Sequence, residues 1–185
     1  KEQGLSERNV KWQLFLQKEI FTPWYNPADD EVATNLIYHQ IVRGIHLGEY
    51  ICTSEKDLAM IIALSFYAEY GAKYDKDKML RKLPELLPKA IYRKETVAQW
   101  ESLISNAFNK CRCVRENLPA NAAKEDIVFF AKITWILKFS RFFEVLKIEE
   151  GYNEDPSENV FIIAFNWTGV FLINSQENVV VSYKQ

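Results

Sequence analysis

Residues 160–173 read VFIIAFNWTGVFLI, and their reading decides both fold and compartment. As a motif, Asn166-Trp167-Thr168 is an acceptor for N-linked sugar and belongs to a secreted chain. As geometry, Asn166 to Gly169 is a hairpin turn between two apolar strands, with Gly169 free to take positive φ. The flanking sequence favours the turn. "RFFEVLKIE" (141–149) precedes it across a polar connection, "EGYNEDPSEN". "VVVSY" (179–183) follows across "NSQEN". Four short strands in succession with short connections predict an antiparallel meander. The carboxylates of the polar connection lack the EF-hand spacing and its glycine, so a solvated loop is expected rather than a calcium site.

Upstream of the meander the period changes from two to between three and four. Asp29 and Asp30 precede a stripe of Val32, Leu36, Ile37, Ile41 and Ile45, which predicts a capped helix that Gly44 and Gly48 end. Ser54 with Asp57 opens a second helix with Leu58, Ile61, Ile62, Ser65 and Phe66 on one face, and Gly71 closes it. Between residues 75 and 91, Pro84 and Pro88 interrupt a helical pattern and predict short or kinked pieces. Thr96 and Gln99 form a capping box for a helix striped with Trp100, Leu103, Ile104, Ala107 and Phe108. That helix fades into the basic "NKCRCVREN". A last helix starts near Pro119. Its stretch from Ile127 to Phe139 is apolar almost all round and is expected at the centre of a bundle. The fold class is α+β: a central all-α bundle over 29–140, then an incomplete antiparallel sheet over 141–185. Before the bundle, residues 11–21 alternate at Trp12, Leu14 and Leu16 and predict a lone strand.

Composition bounds the function. The chain has 185 residues, 48% hydrophobic and 26% charged, with a net charge of −2. It can bury a sizeable core and has no basic footprint for nucleic acid. No apolar run reaches membrane-spanning length, and no basic-then-apolar signal segment opens the sequence. Cys52, Cys111 and Cys113 are an odd number, so reduced thiols in a cytoplasmic setting are expected, without a disulfide framework. His39 and His46 share a helix face. With no Cys or third His at ligand spacing they are expected to be ordinary surface imidazoles, and no metal or cofactor is implied. No phosphate-binding loop, nucleophile elbow or zinc-helix motif occurs. Two basic clusters remain as candidate contacts for an acidic partner or a lipid headgroup. Lys89, Arg93 and Lys94 follow Pro88, and Lys110, Arg112 and Arg115 end the Trp100 helix. The plainer reading makes them solvated loop charge and complements to a helix C-terminus. Without a catalytic constellation, the residues support a binding or scaffolding domain.

The blocks "KEIFTPW", "ATNLIYHQIVRGIHLGEY", "SEKDLA" and "FSRFFE", followed by "NVFIIAFNWTGVFLIN", resemble the FERM domain of unconventional myosin tails, most of all the first tail FERM of class VII myosins. The resemblance runs in order from residue 1 to about residue 183. It implies that residues 1–22 are the end of a ubiquitin-like first lobe. Residues 29–140 would be a helical second lobe like acyl-CoA-binding protein. Residues 141–185 would be the first strands of a truncated pleckstrin-homology-like third lobe, and the chain a piece of a longer protein. It implies no enzyme activity in this part, any motor ATPase lying elsewhere. It implies cargo recognition in the actin cytoskeleton and actin-rich protrusions, with scaffold or adhesion-protein peptides and a neighbouring myosin-tail homology domain as partners. The alternative is a membrane-docking FERM module that binds acidic phosphoinositides. The acyl-CoA-binding likeness carries fold alone.

Overall fold

The computed structural model describes residues 16–50, 52, 54–88, 91, 97–146, 160–173 and 179–184. In chain order it has α1 (Glu31–Leu47), α2 (Glu55–Tyr70), α3 (Lys76–Leu86), α4 (Val97–Lys110), α5 (Arg112–Arg115) and α6 (Ala120–Thr134). Strands β1 (Arg141–Leu146), β2 (Val160–Asn166), β3 (Gly169–Ile173) and β4 (Val179–Lys184) follow. Short 3-10 turns lie at Pro27–Asp29 and Ile136–Phe139.

Local chemistry sets the helix ends. Asp30 accepts from the Ala33 N–H at 2.9 Å and starts α1. Ser54 accepts from the Asp57 N–H at 3.3 Å and starts α2. Asp75 accepts from the Lys78 N–H at 3.0 Å and starts α3. Gly48 and Gly71 close α1 and α2 at φ 78 and 79, where a side chain would be strained. Gly44 does not end α1. It is buried inside the helix, and a Cβ there would lie 2.6 Å from the Tyr50 ring. Its role is to admit that ring. α3 carries Pro84 in its last turn and stops before Pro88. Thr96, half of the expected capping box, lies outside the described residues.

The core belongs to α2. Leu58, Ala59 and every residue from Ile61 to Tyr67 are buried, so this helix is covered on almost all sides. That is the position the sequence pattern assigned to the last helix. α6 instead buries Ala123, Ile127, Val128 and Ala131 while leaving Phe129 and Ile133 half-exposed at 51% and 54%. It also ends at Thr134, five residues earlier than the apolar run implied. Trp135 leaves the helix at ψ 48, and the chain tightens into a 3-10 turn. The reason is packing: Trp135 and Phe139 turn into an aromatic cluster with Tyr50 and Phe21, and the Phe21 and Phe139 rings sit 4.4 Å apart. On α1 the buried line is Ile37, Tyr38, Ile41 and Ile45. Val32 and Leu36 face water, against expectation, because they fall off the face that meets the other helices.

Residues 16–21 form no strand; 11–15 lie outside the described residues. The Lys18 backbone is held by a side chain, its N–H donating to Gln40 Oε1 at 2.7 Å, and Phe21 is buried in the aromatic cluster. The Lys132 ammonium donates to the carbonyls of Pro23 (2.9 Å) and Tyr25 (2.7 Å), fixing the entry to the bundle. Thr34 is fully buried and donates to the Pro27 carbonyl at 2.6 Å.

The sheet is an antiparallel meander in the order β1-β2-β3-β4, as the strand pattern indicates. Asn166 pairs with Gly169 across the Trp167-Thr168 turn, and Gly169 takes φ 149. Asn166 Oδ1 accepts from the Thr168 N–H, while its Nδ2 donates to Ser140 Oγ at 2.8 Å. A sugar on that nitrogen would break the contact with Ser140. Ala164, Phe171 and Ile173 pack on Leu137 of the 3-10 turn. On the opposite face Phe143 and Phe165 meet edge to face and stay half-exposed. Sheet and bundle also touch through Trp24 and Trp167, whose rings are 5.2 Å apart at 63°.

Candidate interaction surface on the helical lobe

A groove of about 850 Å³ opens along the outward side of α2, between α4 and α6. Its apolar walls come in pairs one helical turn apart: Met60 and Leu64 from α2, Leu103 and Ala107 from α4, Phe129 and Ile133 from α6. Residues at i and i+4 form the ridges of a helix surface, so the groove runs along the helices rather than across them. Phe129 and Ile133 are large apolar side chains left open to water beside other apolar groups, the pattern of a contact surface rather than of a core.

One end of the groove is charged. The chain bends at Cys111 between α4 and α5, and this bend brings Lys110, Arg112 and Arg115 together on the rim, with Lys56 from the start of α2. The three basic residues predicted from the end of the Trp100 helix therefore share one site. Lys89, Arg93 and Lys94 lie outside the described residues. Arg112 is tied to Asp126 on α6 at 3.2 Å, and that carboxylate keeps the guanidinium firmly charged. Asp126 also accepts from the Cys113 thiol at 3.5 Å. Burial, helped by Asp126, pushes Cys113 up to about 12 and Cys111 up to about 11, so both stay protonated thiols with little nucleophilic character. Cys52 is raised by burial as well and donates to the Ser54 carbonyl. Among the described residues, no group of three or more His, Cys, Asp or Glu side chains could hold a metal ion. His39 is exposed and packs its ring near Tyr38. Among the same residues no helix is long and apolar enough to cross a membrane.

The basic rim is legible in the sequence and the apolar floor is not. The signal was present but mute: Met60, Leu64, Phe129 and Ile133 are of the same type as their buried neighbours. Among the described residues no helix fills the space between α4 and α6, and this leaves Phe129 and Ile133 open while Leu64 stays buried on the trough's floor.

Comparison with known proteins supplies the family. The FERM central domain matches residues 26–127, and a Myosin-X FERM PH-domain-like family matches residues 139–184. Myosin-VIIa of Drosophila melanogaster is 42% identical over 98% of the chain, which covers 8% of that protein. Unconventional myosin heavy chain 6 of Caenorhabditis elegans is 41% identical over 99% of the chain, which covers 9% of it. The chain thus spans less than a tenth of the curated relatives it matches. Among solved structures, the C-terminal MyTH4-FERM domain of human Myosin 7b, in complex with the harmonin-a PDZ3 domain, matches with a TM-score of 0.55 and 25% identity over 91% of this chain and 33% of that one. With the two family matches following one another along a bundle and then a sheet, and the myosin likeness running almost end to end, the chain belongs to the FERM domain family, in the form carried by unconventional myosin tails.

Proposed function

We propose that this chain is the cargo-binding FERM region of an actin-based motor tail, linking the motor to scaffold or adhesion proteins. The observation that carries this reading is the open groove of the bundle, where exposed Phe129 and Ile133 stand beside other apolar walls and a basic end. Nothing about bundle stability calls for exposed Phe129 and Ile133, whereas protein recognition does. The relatives supply the setting, and the human Myosin 7b neighbour is itself in complex with the harmonin-a PDZ3 domain. In this reading residues 1–22 end a first lobe, 29–140 form the second and 141–185 begin the third. A myosin-tail homology domain lies alongside, and the site of action is the cytoplasmic actin cytoskeleton and its protrusions. The part is non-catalytic, with motor ATPase activity elsewhere in the full-length protein. The bundle acts as a stiff spacer. Trp24 on Trp167 and Asn166 on Ser140 fix the angle between bundle and sheet.

The gathering of Lys110, Arg112 and Arg115 favours a second reading, docking on acidic phosphoinositides. Two titrations separate the two. The tail region is titrated with a scaffold PDZ domain by calorimetry, and co-sedimented with vesicles containing phosphoinositide. Protein binding without saturable vesicle binding supports cargo recognition. Vesicle binding that disappears on charge reversal of the basic residues, with no scaffold binding, overturns it.

A further inference from the structure

We infer that the groove between α2, α4 and α6 receives an amphipathic helix whose acidic end lies at Lys110 and Arg115. The inference rests on the protein-binding reading above and specifies the surface and the chemistry of its partner.

Shape is the first argument. Met60/Leu64, Leu103/Ala107 and Phe129/Ile133 are three ridges at i, i+4 spacing around a shared trough. A fourth helix laid in that trough sets its ridges into the grooves between these, with its apolar residues at i, i+3, i+4 and i+7 filling them. The trough's volume of about 850 Å³ is that of a ligand site rather than a packing defect.

Charge supplies the second argument and the direction. Chain order puts Lys56, Lys110, Arg112 and Arg115 at one end of the trough, and Leu64, Leu103 and Ile133 towards the other. Two carboxylates share the basic end, Asp57 and Asp126. Asp126 is already engaged by Arg112 and by the Cys113 thiol. Lys56, Lys110 and Arg115 have no ion pair among the described residues. A docked helix therefore gains by placing carboxylates, or its negative C-terminal end, against Lys110 and Arg115.

Exposure decides between a helix and a fatty acyl chain with an anionic head. Phe129 and Ile133 are half open to water, so a thin acyl chain in the trough would remain half wetted. A helix buries its apolar face there and presents its own polar back to solvent.

The test uses a synthetic amphipathic peptide of about 18 residues, long enough to populate helix in water. It carries leucines on one face and glutamates in its C-terminal turn, and a second peptide has lysines in place of those glutamates. Binding to the tail region is followed by fluorescence anisotropy, with palmitate and phosphatidylserine vesicles as parallel probes. The acidic-ended peptide should bind. Phe129→Asp and Ile133→Asp should each weaken it about tenfold or more. Lys110→Glu with Arg115→Glu should weaken the acidic-ended peptide and strengthen the lysine one. Circular dichroism confirms that each variant is folded, and both α6 positions are exposed enough to accept the change. Binding indifferent to Phe129→Asp, or palmitate or vesicles binding through these residues while neither peptide does, overturns the inference. So does scaffold-domain binding that persists with no peptide binding; that result removes the groove site alone and leaves the cargo-binding reading standing. Failure of the wild-type region to bind any scaffold domain, with peptide binding intact, removes the broader reading and leaves the groove.

Discussion

Replacing Gly44 by alanine should destabilise the protein, although the same change in most helices stabilises. In a helix interior alanine gains about 1 kcal/mol over glycine. Here the new Cβ would meet Tyr50 ring carbons at 2.6 and 2.8 Å, well inside contact distance. The ring must move. It holds a hydrogen bond from Gln40 Nε2 at 2.7 Å and two ring contacts, to Trp135 at 5.8 Å and to Phe139 at 5.7 Å. Each aromatic pair contributes about 0.5–1.5 kcal/mol and the hydrogen bond about 1 kcal/mol. Losing part of these outweighs the helix gain, for a net loss of about 1–2 kcal/mol. At this chain length that lowers the melting temperature by roughly 2–8 °C. The assay is thermal and urea unfolding of four proteins: parent, Gly44→Ala, Tyr50→Ala and the double variant. With Tyr50 truncated the obstruction is gone, so Gly44→Ala should then stabilise by up to about 1 kcal/mol. A Gly44→Ala protein that melts higher than the parent refutes the reasoning. So does a double variant whose effects simply add.

Three other outcomes are expected. Thr34→Val leaves the buried Pro27 carbonyl without its donor and should cost about 1–3 kcal/mol in urea titration. Lys132→Met frees the carbonyls of Pro23 and Tyr25. Amide exchange in residues 18–25 should accelerate while the core of α2 stays protected. Cys111 and Cys113 are pushed up to about 11 and about 12 from an ordinary 9.0, so the folded state holds their protons more tightly than the unfolded chain does. That contribution is complete below about pH 9 and drains away as pH rises towards 11 and 12. The urea midpoint should therefore fall as pH rises from about 9 to about 11, and Cys113→Ala should flatten the slope.

What could be read from the sequence divides along a physical line. Caps and stops are local chemistry. Asp30, Ser54, Gly48 and Gly71 act where their types suggest, and Asn166 to Gly169 makes the turn between apolar strands. Coverage is not local. Phe129 and Val128 are both apolar residues on one helix, yet one faces the trough and the other the core. Their difference is set by α1 and α2, which pack on this helix from far away in the chain. The same reason put the wrong helix at the centre, because a helix apolar all round can be either enclosed or left partly open. Gly44 read as a helix breaker because its purpose depends on a ring six residues on. Residues 11–21 read as a strand because of the alternation at Trp12, Leu14 and Leu16, but alternation names no partner, and in the described part of that stretch the backbone of Lys18 meets Gln40 instead. For the candidate site, the charges were legible one by one. Their convergence required the bend at Cys111.

The crossed indoles of Trp24 and Trp167 give the molecule an optical gauge. At 5.2 Å and 63° the strong far-ultraviolet transitions of the two rings are close enough to couple, and the resulting couplet depends steeply on separation and tilt. One chromophore rides on the segment leading into the bundle, the other on the hairpin tip. Any load that tilts the sheet away from the helices must part them before it disturbs either interior. Circular dichroism could therefore follow the joint between the two halves in the unlabelled protein, separately from the melting of the halves themselves.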